Sequence, residues 1–237
     1  MKLIIVGTGR MGQLIRQKAE DAGHEVLAMG DVLSPGDVPA LSAKADAIID
    51  FSHPDNLDWI LSLSGSAALV EGTTGFDPSH TERLRAASVT RPVFYASNYS
   101  LGVAVLQKLA SDAAKMLRGF DIEIVEAHHN RKADAPSGTA LSLLDAVDPE
   151  SSFDRVYGRH GRPGPRNREI GIHAIRGGTV AGDHDVIFFG PDEVVRLSHH
   201  AGSREIFVNG ALKAAEFLQK QQPGLYTMDE LLEETAA

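Results

Sequence analysis

Lys2-Leu3-Ile4-Ile5-Val6-Gly7-Thr8-Gly9-Arg10-Met11-Gly12 sets an apolar run against a glycine-rich turn, and the turn against a helical pattern. Lys2–Val6 is short, largely β-branched and stopped by glycine, as a buried strand is. Beyond the turn, Met11, Leu14, Ile15, Ala19 and Ala22 fall on one stripe of helical period, which predicts a helix over Met11–Ala22. Working outward, the alternation repeats. Strands are predicted at Glu25–Met29, Ala47–Phe51, Ala67–Val70 and Val93–Tyr95, with helices at Asn56–Leu63 and His80–Ala87. Apolar strands joined by helical crossovers predict an α/β, Rossmann-like domain whose parallel sheet is covered on both faces.

The pattern changes after Asn98. A helix is predicted over Gly102–Leu117, an alternating strand over Asp121–Ala127 and a second helix over Thr139–Val147. Asp154–Arg168 is rich in Gly, Pro and Arg and reads as a solvated loop. Three strands follow at Glu169–Arg176, His184–Phe189 and Val194–His199, separated by Gly177-Gly178 and Gly190-Pro191. Tight turns between strands predict an α+β domain with a mainly antiparallel sheet. The last predicted helix, Arg204–Gln219, has Ile206, Phe207, Gly210, Ala211, Ala214 and Leu218 on one face.

Composition narrows the function. The 237 residues carry 23 Lys+Arg and 32 Asp+Glu, a net charge of 23 − 32 = −9 that repels nucleic acid. The count of cysteines is 0, which excludes disulfides, thiolate metal sites and a cysteine nucleophile, and fits a reducing, cytoplasmic setting. Leu3–Val6 is halted by Gly7 and Arg10 too soon for a signal-peptide core, and no apolar run is long enough to span a membrane.

The spacing Gly7, Gly9, Gly12 answers three needs of a pyrophosphate site. These are a tight turn, close backbone approach, and close packing of helix on strand, with the helix N–H groups facing the anion. Asp31, 19 residues beyond Gly12, closes the second strand where a carboxylate accepts the hydroxyls of an adenosine ribose; a plain turn residue is the competing reading. Val32 follows it, with no adjacent Lys or Arg to meet a 2′-phosphate, so NADH is expected over NADPH, although Arg10 is within the same turn. Gly72-Thr73-Thr74-Gly75 and Ala96-Ser97-Asn98-Tyr99 follow strands at the carboxyl end of the same sheet, and either contact the ribose and nicotinamide or simply turn the chain.

The densest chemistry is Glu126-Ala127-His128-His129-Asn130-Arg131-Lys132-Ala133-Asp134-Ala135-Pro136-Ser137-Gly138-Thr139. Residues i and i+2 of a strand share a face, so Glu126 and His128 point together while His129 points away. Glu beside His keeps a proton on hand near neutrality, as a general acid requires. Pro136-Ser137-Gly138-Thr139 starts a helix whose N–H groups seat a carboxylate, and Lys132 adds a cation, so the site suits a small dianionic substrate. A metal site from Glu126, His128, His129 and Asp134 competes, but alternation splits the two histidines; a solvated loop is the remaining alternative.

Glu126–Thr139, continued by Ala140-Leu141, resembles the signature of the 4-hydroxy-tetrahydrodipicolinate reductase (dihydrodipicolinate reductase) family of lysine and diaminopimelate biosynthesis. Gly7–Gly12, Asp50-Phe51-Ser52, Gly72–Phe76, Ser97–Val103, Arg176–His184, Ser203-Arg204, Asn209-Gly210-Ala211 and Gly224-Leu225-Tyr226 extend the resemblance over almost the whole chain. It implies an NAD(P)H-dependent oxidoreductase that reduces a cyclic unsaturated imine dicarboxylate, formed when the hydroxy precursor loses water. His128 would be the proton donor/acceptor and Lys132 a second donor, with His129, Gly138 and Thr139 on the substrate carboxylates. Gly7, Thr8, Gly9, Arg10, Met11, Gly12, Asp31, Gly72, Thr73, Thr74, Ala96, Ser97, Asn98 and Tyr99 would line the cofactor. It also implies a homotetramer and a discontinuous cofactor domain, here 1–99 with 204–237, around a substrate-binding and oligomerisation domain at 100–203. A dehydrogenase of another small carbonyl or amino acid, or a non-catalytic dinucleotide sensor, are the rival readings.

Overall fold

A computed structural model describes residues 1–236. In chain order it opens with β1 (Lys2–Val6), α1 (Arg10–Asp21), β2 (Glu25–Gly30), α2 (Val38–Leu41), β3 (Ala47–Asp50) and α3 (Leu57–Ser62). Next come β4 (Ala68–Glu71), α4 (Pro78–Ala87), β5 (Pro92–Tyr95), α5 (Leu101–Met116), β6 (Asp121–His128) and α6 (Gly138–Val147). The chain closes with β7 (Asp154–Val156), β8 (Glu169–Arg176), β9 (Asp183–Gly190), β10 (Glu193–His200), α7 (Glu205–Leu218), β11 (Gly224–Tyr226) and α8 (Met228–Ala236). Two compact units result: Met1–Leu101 with the chain from Glu205 onward, and Gly102–Arg204.

In the first unit, six strands pair in the order β11-β5-β4-β3-β1-β2, all parallel. Ile4, Val6, Ile48, Leu69 and Val93 of the sheet pack on Leu57, Ile60 and Leu84 of the helices. The sheet has one strand more than the sequence reading expected. β11 is three residues long and half-buried, too short to show a period, and joins only through parallel pairing with β5. Helix α7 lies against α1 and the sheet, burying Gly210, Ala211, Ala214 and Leu218 together with Val208 and Phe217. Gly210 is obligatory there, since a Cβ would lie 1.7 Å from the Tyr99 carbonyl oxygen.

The second unit holds a five-stranded sheet in the order β10-β9-β6-β8-β7. It is mixed. β10–β9 and β9–β6 are antiparallel, as tight turns require, while β6–β8 and β7–β8 are parallel. The parallel pairings need two crossovers: α6 returns the chain before β7, and the segment 157–168 returns it again before β8. Strand β6 alternates in burial, so Ile122, Ile124, Glu126 and His128 share the covered face. There Ile170, Ile172, Val186 and Phe188 complete a core under Leu106 and Ala110 of α5 and Leu143 and Leu144 of α6.

The segment 154–168 is largely exposed, as a solvated loop is, but it is not free. Its first residues form the edge strand β7. Arg159 bridges Glu123 and Glu169 at 2.9 and 2.6 Å, and Arg166 ion-pairs with Asp121 at 2.9 Å and with Glu123. Arg168 lies over the Phe153 ring, 4.9 Å from its centroid. These arginines clamp the loop onto a strand whose carboxylates the sequence alone did not bring opposite them.

Gly12 fixes how closely α1 approaches β1, because a Cβ at that position would stand 1.8 Å from the Gly7 carbonyl oxygen. That atom is backbone and cannot swing aside. Gly12→Ala should therefore lower stability by about 1–3 kcal/mol, the usual range for overpacking. Urea denaturation measures this, and an unchanged midpoint contradicts the packing described.

Candidate active site

Because the first sheet is parallel, the loops after β1 to β5 gather at one edge. The order β2-β1-β3 sends the chain to opposite sides of β1, which opens a crevice at the carboxyl ends of β1 and β3. A cleft of about 370 Å³ occupies that switch point, lined by Gly7, Thr8 and Gly9, by Asp31, Val32 and Leu33, and by Phe51–His53 with Asp55 and Asn56.

Two of the three glycines are fixed by the fold. Gly7 holds φ at +104° and sits against the Phe51 carbonyl oxygen, so it makes the turn. Gly12 packs helix on strand, as above. At Gly9, which lines the cleft, a Cβ would meet nothing within 4 Å, so no contact within the chain requires glycine there. Gly9 also caps α1 without any side-chain hydrogen bond, leaving the first-turn N–H groups to an outside acceptor. Backbone donors at a helix start, bare of side chains, fit a dinucleotide pyrophosphate.

Asp31 unites both readings of that position. Its Oδ1 accepts from the N–H groups of Leu33 and Ser34 at 2.9 and 2.8 Å, which is a turn. Its Oδ2 faces the Thr8 hydroxyl at 3.5 Å, on the cleft. Beside it Val32 and Leu33 are 43% and 90% exposed, an apolar lip. The other predicted cofactor residues are dispersed: Arg10 is exposed and Met11 half-buried in the first turn of α1, and the loops Gly72–Thr74 and Ala96–Tyr99 follow β4 and β5 outside this cleft. Thr73 and Tyr99 are buried, and their hydroxyls donate to Asp50 and to the Glu71 carbonyl.

In the second unit, β6 delivers Glu126 and His128 to its carboxyl end on the covered face. Glu126 is fully buried, and its carboxylate is saturated. Oε1 accepts from the Ser137 N–H at 3.0 Å and from Arg176 Nη2 at 2.8 Å; Oε2 accepts from Arg176 Nη1 and His128 Nδ1, both at 2.7 Å. Burial pushes this carboxyl up, but Arg176, His128 and the Ser137 N–H outweigh it and hold it below the usual range. An ionised Glu126 at Nδ1 places the His128 hydrogen there and leaves Nε2 as the working nitrogen. Nε2 faces Gly182, where a Cβ would stand 3.1 Å away.

His184 lies edge-on to His128, with ring centroids 5.2 Å apart. Burial, then the neighbouring His128, brings its pKa down to about 4, so it carries no charge at neutral pH. Its Nε2 meets the Ser137 hydroxyl at 3.1 Å, and that hydroxyl accepts the Ala140 N–H to cap α6. At Gly138 a Cβ would enter open space, so nothing in the fold screens the first N–H of α6; Thr139 beside it is half-buried. His129 turns away from Glu126, its Nδ1 accepting the Arg131 N–H at 3.2 Å. Desolvation and the charges of Arg204, Arg131 and Lys132 press it below its ordinary pKa. Lys132 Nζ pairs with Asp134 at 2.8 Å. An exposed helix start offers N–H groups to an anion, and the cations of this segment act on His129.

Arg176, Ser137, Gly182 and His184 acquire their places only through the fold. Arg176 stands opposite His128 in the parallel β6–β8 register, and His184 opposite Glu126 in the antiparallel β6–β9 register. One signal was available: a histidine in phase with Val186 and Phe188 falls on the buried face of β9.

The sequence models described as the N-terminus and C-terminus of dihydrodipicolinate reductase match residues 1–99 and 102–232. A 4-hydroxy-tetrahydrodipicolinate reductase of Caldanaerobacter subterraneus subsp. tengcongensis is 46% identical, with 98% of each chain covered. One of Staphylococcus epidermidis is 41% identical over 98% of this chain and 100% of its own. Among solved structures, dipicolinate-bound dihydrodipicolinate reductase from Paenisporosarcina sp. TG-14 superposes with a TM-score of 0.77 at 21% identity, covering 96% of this chain and 97% of that one. An amine dehydrogenase from Mycobacterium smegmatis, at TM-score 0.62 and 10% identity over 97% and 95%, shares the fold.

Since Glu126 is buried and ionised, removing its guanidinium partner leaves a charge short of compensation. Arg176→Met should cost about 3 kcal/mol at pH 7, the lower part of the range for a broken buried pair. The depressed carboxyl contributes stability above its unfolded pKa and loses it as pH falls through the folded value, so the deficit should shrink in acid. Denaturation at several pH values reads this; a deficit that does not change with pH contradicts it.

Proposed function

The chain belongs to the dihydrodipicolinate reductase family, and we propose that it makes tetrahydrodipicolinate from 4-hydroxy-tetrahydrodipicolinate by reducing the conjugated imine that the latter becomes on losing water. Bound NAD(P)H supplies hydride, which adds at the β-carbon of the unsaturated imine. The enamine so formed is electron-rich at its α-carbon and needs one proton there to restore the imine.

His128 is the donor in this reading: as the imidazolium it keeps one hydrogen on Nδ1 toward Glu126 and gives the other from Nε2, ending neutral. Lys132 is the second proton donor, able to supply or replace that single proton, and a counter-charge, released from Asp134 by the incoming carboxylates. His129 and the N–H groups of Gly138 and Thr139 hold those carboxylates. The single observation that carries the proposal is a histidine held at Nδ1 by a buried, ionised Glu126, whose other oxygen accepts the N–H of Ser137 at the start of α6.

Gly7–Gly12 and Asp31 hold the cofactor's pyrophosphate and ribose, and the loops at Gly72–Thr74 and Ala96–Tyr99 line the rest. NADH is preferred over NADPH because Asp31 repels a 2′-phosphate and its neighbours Val32 and Leu33 are apolar. A homotetramer assembled through the second sheet accords with Ile175, Phe189 and Val194, which are 54%, 39% and 55% exposed. Among the described residues no helix is long and apolar enough to cross a membrane; a cytoplasmic setting belongs to the same reading.

Loss of nicotinamide absorbance with enzymatically generated substrate tests the activity, and no turnover with either cofactor removes it. His128→Ala should lower kcat by roughly 10²- to 10⁴-fold, the range for a positioned acid. Lys132→Ala should lower kcat and raise KM for the dicarboxylate; unchanged kinetics place Lys132 outside the site. Calorimetric titration should give tighter binding of NADH than of NADPH, and the reverse order overturns the role given to Asp31.

A further inference from the structure

Beneath the cleft of the first unit lies a carboxylate pair that nothing above uses. Asp50 ends β3, Glu71 ends β4, and the two are partners in the parallel register. Both are fully buried. Among the described residues neither forms an ion pair with Lys, Arg or His. Asp50 instead accepts the hydroxyls of Ser52 at 2.5 Å and Thr73 at 2.9 Å, while Glu71 Oε1 accepts the Thr73 N–H at 2.8 Å. Glu71 Oε2 is buried and finds no donor.

Two ionised carboxylates side by side, fully buried and with no cation paired to them among the described residues, are not a stable arrangement. One proton between them removes the conflict, and the oxygen without a donor is where a carboxylic O–H would sit. Burial first, and Asp50 next, push the Glu71 carboxyl well above its usual range; burial raises Asp50 as well. Two phenols feel the pair: Tyr99 is raised by burial, Glu71 and Asp50, and Tyr95 by burial and Glu71, and a phenol carries no positive charge in either form.

The pair is wired to the cleft wall. Asn56 donates to the Ser52 hydroxyl at 2.8 Å and accepts the Val32 N–H at 2.9 Å, and all three residues line the cleft. On the other side, Thr73 gives its N–H to Glu71 and its hydroxyl to Asp50, and receives the Ser52 N–H at 3.0 Å. The loops after β2, β3 and β4 are thus joined through two carboxyl groups.

We propose that Asp50 and Glu71 share a single proton and that this protonated pair is a positioning device, holding the two cleft loops after β2 and β3, and the loop after β4 behind them, in the arrangement that binds the dinucleotide. The proposal rests on the cofactor reading given above for what the cleft binds, but not for the state of the pair. Loss of the proton sets two negative charges against each other, loosens Thr73 and Ser52, and weakens cofactor binding. Neutral Gln at 71 retains an acceptor for the Thr73 N–H and a donor toward Asp50.

Infrared spectra of the full-length protein, with ¹³C-carboxyl Asp and Glu, decide the first half. A protonated carboxyl band is expected at neutral pH in the wild type and should vanish in Glu71→Gln. Its absence from the wild type overturns the proposal, whether or not any variant folds. Fluorescence titration with NADH across alkaline pH decides the second. Wild-type affinity should fall by up to about tenfold per pH unit once the band disappears, and that loss should be absent in Glu71→Gln. An equal loss in both proteins, or a wild-type affinity that ignores disappearance of the band, overturns the positioning role. A protein that binds no NADH at any pH but shows the band refutes the cofactor reading instead.

Discussion

The carboxylate of Glu126 is the point on which the second unit turns. It is ionised and fully buried, so its stability depends on donors supplied by the protein. Those donors come from three elements: His128 on the same strand, Arg176 at the end of β8, and the Ser137 N–H at the start of α6. The His128 bond is made within β6, whereas the Arg176 bonds need β6 and β8 paired in their parallel register and the Ser137 bond needs α6 to begin where it does. The same four hydrogen bonds that satisfy the charge therefore orient the imidazole and fix the helix start beside it. Arg176 extends the constraint by donating to the Asp134 carbonyl at 2.7 Å, which ties down the loop carrying His129 and Lys132.

The two units concentrate positive potential by different means. In the first, the cleft is lined by the glycine turn that opens α1, with Asp31 beside it. In the second, Arg204, Arg131 and Lys132 act on His129. In a chain of net charge −9 both features are local, and screening limits the reach of the global field.

Much of this was legible in the sequence. Lys2–Val6 and Glu169–Arg176 have the bounds read from their apolar runs, and the turn at Gly7 and the close packing at Gly12 follow from spacing alone. Strand alternation was enough to place Glu126 with His128 and to turn His129 away. What escaped depends on pairing between distant segments. β11 is too short to carry a period, β8 runs parallel to β6 by way of two crossovers, and the arginines of 154–168 look solvated until Glu123 and Glu169 stand opposite them. Arg176 belongs with these: a basic residue at a strand end means little until the register sets it on Glu126. Thr73 and Tyr99 show the converse, since polar residues in a loop at the carboxyl edge turn out to be buried and committed to Asp50 and Glu71.

The most direct measurement is a crystal structure with a planar cyclic dicarboxylate bound. The account predicts one carboxylate on the Gly138 and Thr139 N–H groups, Lys132 moved from Asp134 toward the ligand, and the ring within hydrogen-bonding reach of His128 Nε2 while Glu126 keeps Nδ1. A ligand seated elsewhere, or bound with His128 turned away from Glu126, contradicts it.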